Sequence, residues 1–231
     1  MKRFWTKAEA VAGAGGWGIE LDGKPLRTPA RAALIVPTEA LGAAVADEWN
    51  GAQATFDPQA MTFTGLANAA IDRIAPDPAA FAAALAHYGT SDLTCYRAEG
   101  PDALVDRQSQ AWDPLLAWGR RRFDMDFTTT CGIIPVDQPT ATTRRLAHEV
   151  ATLDPFRLAG LSPLVTIGGS LLAALAVLEG AVTPGSAWDS VTVDERWQLE
   201  QWGSDLEAEQ RLANRKRDFL AAARFLELLE P

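Results

Sequence analysis

Trp17-Gly18-Ile19-Glu20-Leu21-Asp22-Gly23-Lys24-Pro25-Leu26 reads as a β-hairpin. Trp17, Ile19 and Leu21 alternate with Gly18 and Glu20, the two-residue period of a half-buried strand. Asp22-Gly23 is a dipeptide suited to a two-residue hairpin turn, because both residues tolerate positive φ. The return strand runs through Leu26 and is bounded by Pro25 and Pro29, which suit a sheet edge since proline donates no ladder hydrogen bond. Ala33-Leu34-Ile35-Val36 is a further apolar strand, so residues 1–37 read as β.

Beyond this region the period changes. Pro37-Thr38 starts a helix with Thr38 as N-cap, its hydroxyl placed for an orphan backbone N–H, and the helix runs to about Trp49 or Ala52. Residues 55–64 look extended, and a helix follows from near Thr64 to Ile74. Pro78 opens a helix to Tyr88, and Leu93–Arg97 is a short β-like run. Pro101 opens a helix that Pro114 either kinks or restarts toward Phe123. Phe127 to Ile134 reads as one strand, and Thr140 starts a helix to about Leu153. Residues 161–178 carry no charge, but Pro163, Gly168, Gly169 and Ser170 make the first half too weakly apolar for a membrane span. A buried helix from about Thr166 to Leu178 is expected instead. Thr192 begins a last long helical region ending near Leu229. The fold class is therefore α+β: a small β-rich domain at 1–63 with antiparallel hairpins, then a larger, mostly helical domain at 64–231.

Composition narrows the function. The formal net charge of -9 disfavours nucleic acid or an anionic membrane as the main partner. Two cysteines, Cys95 and Cys131, lack zinc or C-x-x-C spacing and read as reduced thiols. Gly13-Ala14-Gly15-Gly16-Trp17-Gly18 matches G-x-G-x-x-G, but an Ala-rich segment precedes it and a hairpin strand follows. A pyrophosphate site needs a strand before the glycines and a helix after them. Neither His87 nor His148 lies in a metal or nucleophile motif. No catalytic residue, cofactor site or metal site is expected. The chain holds eight tryptophans, a residue that serves both as core anchor and as interface anchor. Trp49 and Trp118 read as core.

The C-terminal part has a charge pattern. Asp189, Asp194, Glu195, Glu200, Asp205, Glu207 and Glu209 stand against Arg196, after which Arg211, Arg215, Lys216, Arg217 and Arg224 reverse the sign. Acids first and bases last complement a helix dipole. That does not account for Trp197 and Trp202 among the acids. On one continuous helix Asp194, Gln198 and Asp205 share a stripe beside the two aromatics, a pattern suited to docking a basic partner through an aromatic anchor with a polar surround.

Ordered strings along the whole chain carry a resemblance. They are Leu21-Asp22-Gly23-Lys24-Pro25-Leu26-Arg27-Thr28-Pro29, Val36-Pro37-Thr38, Glu48-Trp49, Met61-Thr62, and Leu66-Ala67-Asn68-Ala69-Ala70-Ile71-Asp72. Further on come Asp92-Leu93-Thr94-Cys95-Tyr96-Arg97 leading to Pro101, Leu104-Val105-Asp106-Arg107-Gln108, and Trp112-Asp113-Pro114-Leu115 with Trp118. Glu195, Gln198 and Trp202-Gly203 close the set. In this combination the chain resembles the assembly chaperone of the F-type ATP synthase that binds the unassembled alpha subunit of the catalytic head. The resemblance implies a non-enzymatic protein with a β-rich N-terminal and a helical C-terminal part, which masks a subunit interface until the beta subunit takes it over. It also implies a functional acid just before the Gln-x-x-x-Trp-Gly string, at Asp194 or Glu195. The expected partner-binding patch is Asp194, Glu195, Gln198 and Trp202, with Glu200, Asp205 and Glu207 as weaker members. Arg97 is expected to satisfy buried carboxylates rather than a partner. The alternative is an enzyme or small-molecule binder, for which His87, His148, Cys95 and Arg97 are the available actors. It requires a cleft where a histidine meets an acid. Relatives work in bacteria and in mitochondria; with no import sequence at the N-terminus, a bacterial cytoplasm is expected.

Overall fold

The computed structural model describes residues 2–203 and 206–230. They form two compact units, one of Met1–Pro78, Asp154–Gly160 and Arg224–Pro231, the other of Ala79–Leu153 and Leu161–Ala223.

The first unit is built on an antiparallel sheet. Strand β1 (Ala8–Gly13) pairs with β2 (Gly16–Leu21), Ala8 opposite Leu21 and Gly13 opposite Gly16. Strands β3 (Lys24–Pro25) and β4 (Ile35–Val36) also pair antiparallel with β2. Asp22 and Gly23 turn the chain at φ 49° and 75°, as the sequence predicts. The Asp22 carboxylate accepts the backbone N–H groups of Lys7 (2.9 Å) and Thr6 (3.0 Å), which hold it below the usual carboxylate range. The glycine-rich stretch is the β1–β2 hairpin: a strand follows it, so no helix N-terminus is available for a phosphate.

Ile19, Leu21, Leu34 and Val36 are buried, and helix α1 (Glu39–Gly51) adds Leu41, Val45 and Trp49 to this core. Thr38 caps α1, its Oγ accepting the Leu41 N–H at 3.2 Å. Helix α2 (Thr62–Ala69) continues as a π-helical turn, Ala70–Ile74. It starts earlier than the sequence suggests because Glu48, on α1, accepts the N–H groups of Phe63 (2.7 Å) and Thr64 (2.8 Å). That carboxylate satisfies two of the orphan donors of the first turn. The segment expected to be extended before it holds a 3-10 turn, Pro58–Ala60.

The second unit is helical. Helices α3 (Pro78–Ala86), α4 (Asp102–Phe123), α5 (Thr140–Ala151), α6 (Pro155–Gly168), α7 (Leu171–Leu178), α8 (Pro184–Val191), α9 (Val193–Trp202) and α10 (Leu206–Glu227) follow in order, and α3, α6 and α10 also include residues of the first unit. Helix α4 packs against α7, α8 and α9 and passes through Pro114 without stopping. Strand β5 (Tyr96–Arg97) pairs parallel with β6 (Thr130–Cys131).

Three expectations are corrected. The run 127–134 is not one strand: only Thr130–Cys131 pair, and Gly132 at φ 81° turns the chain away. The apolar helix over 166–178 is two helices, broken at Gly169 (φ 66°), after which Ser170 caps α7 by accepting the Ala173 N–H at 3.0 Å. The last helical region is also two, with α9 ending at Trp202 and Gly203 at φ 79°. Among the described residues no helix is long and apolar enough to cross a membrane.

Candidate functional site

An open groove of about 710 Å³ lies in the second unit, bordered by β5, the turn after it, the first turns of α4, helix α9 and Gly132–Ile133. Trp112 is buried at its edge, its Nε1 donating to the Ser190 carbonyl at 2.7 Å. The Arg97 guanidinium lies 5.0 Å from the Trp112 ring. It donates to the carbonyls of Thr94 (2.7 Å) and Tyr96 (2.9 Å) and pairs with Asp113 at 2.6 Å. Arg97 therefore serves two carbonyls and an exposed carboxylate, not the buried carboxylates expected from the sequence. Buried Asp92 is satisfied by other donors.

Gln108 ties the groove together. Its Oε1 accepts the Ala98 N–H at 2.8 Å, and its Nε2 donates to Asp194 Oδ1 at 2.7 Å. One buried amide thus sets both the turn after β5 and the rotamer of the acid on α9. Asp194 is half-buried and faces the groove. Its one hydrogen-bond partner is a neutral amide, and it has no ion-pair partner among the described residues. Gln198 and Trp202 follow at i+4 and i+8, so all three lie on one face of α9 and line the groove. Trp202 is 78% exposed.

The other expected site residues that the structure describes point elsewhere. Glu195 pairs with Arg215 at 2.6 Å, and Arg215 also donates to the Ile167 carbonyl at 3.0 Å, so this acid staples α9 to α10 and the end of α6. Glu200 pairs with Arg107 at 2.6 Å, whose guanidinium lies 4.8 Å from the Trp197 ring. Glu207, on α10, pairs with Arg211 one turn on. Asp205 lies outside the described residues. Helix α9 ends at Trp202, so the described members of the expected stripe are Asp194 and Gln198.

Tyr96, Glu99, Gln108 and Ile133 also line the groove and were not anticipated as site residues. Tyr96 and Gln108 sit in strings that carry the resemblance, which is the only sequence signal that any of the four offered. His87 and His148 are exposed and neither lines the groove. Cys95 is buried, which pushes its thiol up to about 12. Among the described residues no group of His, Cys, Asp and Glu is arranged to hold a metal ion.

The sequence model of a family described as ATP12 chaperone protein matches residues 2–120. The chain belongs to the ATP12 chaperone family. This is the ATP synthase assembly chaperone family that the ordered strings resemble. The mitochondrial protein atp12 of Schizosaccharomyces pombe is 23% identical over 215 residues, 88% of this chain and 74% of that one. The crystal structure of Atp12 from Paracoccus denitrificans matches with a TM-score of 0.93 and 43% identity, covering 99% of this chain and 98% of that chain. An aspartate-to-lysine mutant of the same Paracoccus protein matches with the same TM-score. Atu1473 of Agrobacterium tumefaciens, a candidate chaperone, matches at 0.94 with 39% identity, covering 99% of this chain and 86% of that one. The ATP12 fold thus extends across the helical part that carries the groove.

Proposed function

We propose that this ATP12-family protein binds the unassembled alpha subunit of F-type ATP synthase and covers its subunit-facing surface until the beta subunit replaces it. The observation that carries the reading is the face of α9, where an exposed Trp202 stands with Gln198 and Asp194, an acid with no counter-ion among the described residues, along one groove. A subunit of an obligate ring exposes a large apolar interface while it is alone, and such a surface aggregates. A chaperone that competes for it needs an anchor that buries area together with polar contacts that water and the true partner can replace. An aromatic flanked by a carboxylate and an amide meets both needs.

The contact residues in this reading are Asp194, Gln198 and Trp202, while Glu195, Glu200 and Glu207 act through the local pairs they make. The protein works without covalent catalysis. In support, Arg97 has its guanidinium engaged by structural partners, and both histidines lie away from the groove. A bacterial cytoplasm is the proposed location, supported by the Paracoccus and Agrobacterium relatives. Co-expression with isolated alpha and beta subunits tests the function. Alpha should stay soluble and co-purify with this chain; capture of beta alone, or of neither, overturns the reading.

A further inference from the structure

Two large aliphatic side chains stand in solvent beside the groove. Ile133 is 96% exposed and Ile134 is 75% exposed, and the loop that carries them is pinned rather than frayed. On its N-terminal side β6 pairs with β5, and the Gly132 N–H donates to the Arg97 carbonyl at 2.8 Å. On its C-terminal side the buried Gln138 accepts the Thr128 N–H at 3.0 Å and donates to the Thr128 carbonyl at 2.8 Å. Each isoleucine leaves in water an aliphatic side chain whose burial would be favourable. Neither side chain serves the fold of its own unit, and Ile133 lines the same groove as Trp197 and Trp202.

The charges at this place say what would cover it. Glu99 and Asp194 both line the groove, and neither has an ion-pair partner among the described residues. The cation there, Arg97, is held by Thr94, Tyr96 and Asp113. The surface is therefore apolar with two uncompensated carboxylates, on a chain of net charge -9. A second copy of the chain would bring like charge to like charge, whereas a basic segment would complete it.

We infer that the Ile133–Ile134 tip and the Asp194 groove act as one two-part docking surface for a client segment carrying aliphatic side chains beside a lysine or arginine. This rests on the proposed function, with the alpha subunit as the client. The aliphatic side chains close over the isoleucines and Trp202, and the client's cation sits between Glu99 and Asp194.

Titration of purified alpha subunit against the full chain tests it. I133S/I134S should weaken capture by about tenfold or more, the loss expected when one or two aliphatic contacts are removed, with the thermal midpoint unchanged because both side chains lie in solvent. E99Q/D194N should weaken capture and flatten its salt dependence. A readout on the unmutated protein is independent of either variant: the exposed Cys131, two residues from Ile133, should react more slowly with a maleimide when alpha is bound. Full affinity of I133S/I134S, or unchanged Cys131 labelling in the complex, overturns the inference and leaves the function standing. Self-association that I133S/I134S abolishes makes a second copy the occupant and overturns it too. A native chain that does not capture alpha at all overturns the function, and this inference with it.

Discussion

Asp92 shows how much geometry one side chain can hold. It is fully buried and has no cationic partner among the described residues; its Oδ1 accepts the Thr94 N–H (3.0 Å), the Thr94 hydroxyl (2.8 Å) and the Ser170 hydroxyl (2.8 Å), and its Oδ2 accepts the Leu172 N–H (2.9 Å). One carboxyl thus joins the turn before β5 to the start of α7. Burial raises its pKa against the pull of those hydrogen bonds. A carboxyl raised on folding favours the native state below its unfolded pKa, and that contribution is lost as pH rises through the folded value. The stability of the wild type relative to D92N should therefore fall as pH rises from about 4 upward, measured by urea titration at several pH values. D92A leaves several buried donors unpaired and should cost about 3 kcal/mol in the same assay. The cysteines differ just as sharply. Cys95 is buried with its thiol raised, while Cys131 is exposed, and the thiolate is the reactive form. A thiol reagent at neutral pH should modify one cysteine in the native protein and two after denaturation, and C131S should abolish the native reaction.

At the scale of elements, turns and breaks decide more than propensities do. The β1–β2 hairpin brings Gly16 to φ 138°, where an added Cβ would meet the Val36 carbonyl oxygen at 2.3 Å. G16A should therefore strain the backbone and push β4 from β2, lowering stability by about 3 kcal/mol in a denaturant melt, with the loss of β signal preceding the loss of helix. The hairpin itself was legible because Asp22-Gly23 and the alternation of Trp17, Ile19 and Leu21 are local signals. Strand β1 was not, since Ala8–Gly13 has little side-chain preference and is held by its ladder with β2. The two helix breaks were missed for a related reason. An unbroken apolar run at 161–178 does not distinguish one buried helix from two, and α7 starts where Ser170 meets Asp92, a residue 78 positions away in the chain. Gly203 ends α9 within an acid-rich stretch that reads as continuous helix on charge alone.

For the whole molecule, adjacent acids on α9 have separate tasks. Asp194 faces the groove with no counter-ion among the described residues, while Glu195 holds Arg215. D194K should abolish most capture of alpha subunit and leave the thermal midpoint nearly unchanged. E195K sets a lysine against Arg215 and should lower the midpoint by a few degrees, its capture falling only as far as its folded fraction falls. Equal effects of the two reversals on capture, with equal midpoints, would sink the division. The family was legible in sequence because it rests on ordered short strings, and so was the α+β class, because period two at the N-terminal end gives way to mostly helical period along the rest of the chain. The acid-aromatic character of α9 was legible too: composition and spacing are local, and Asp194, Gln198 and Trp202 fall at helical intervals. The groove was not legible. It exists because Gln108 reaches 86 residues along the chain to orient Asp194, because Arg215 draws Glu195 to another side, and because Gln138 and the β5–β6 pair turn two isoleucines out into water. Pairings between residues so far apart leave no trace in a local pattern, and only the folded chain brings them within hydrogen-bonding reach.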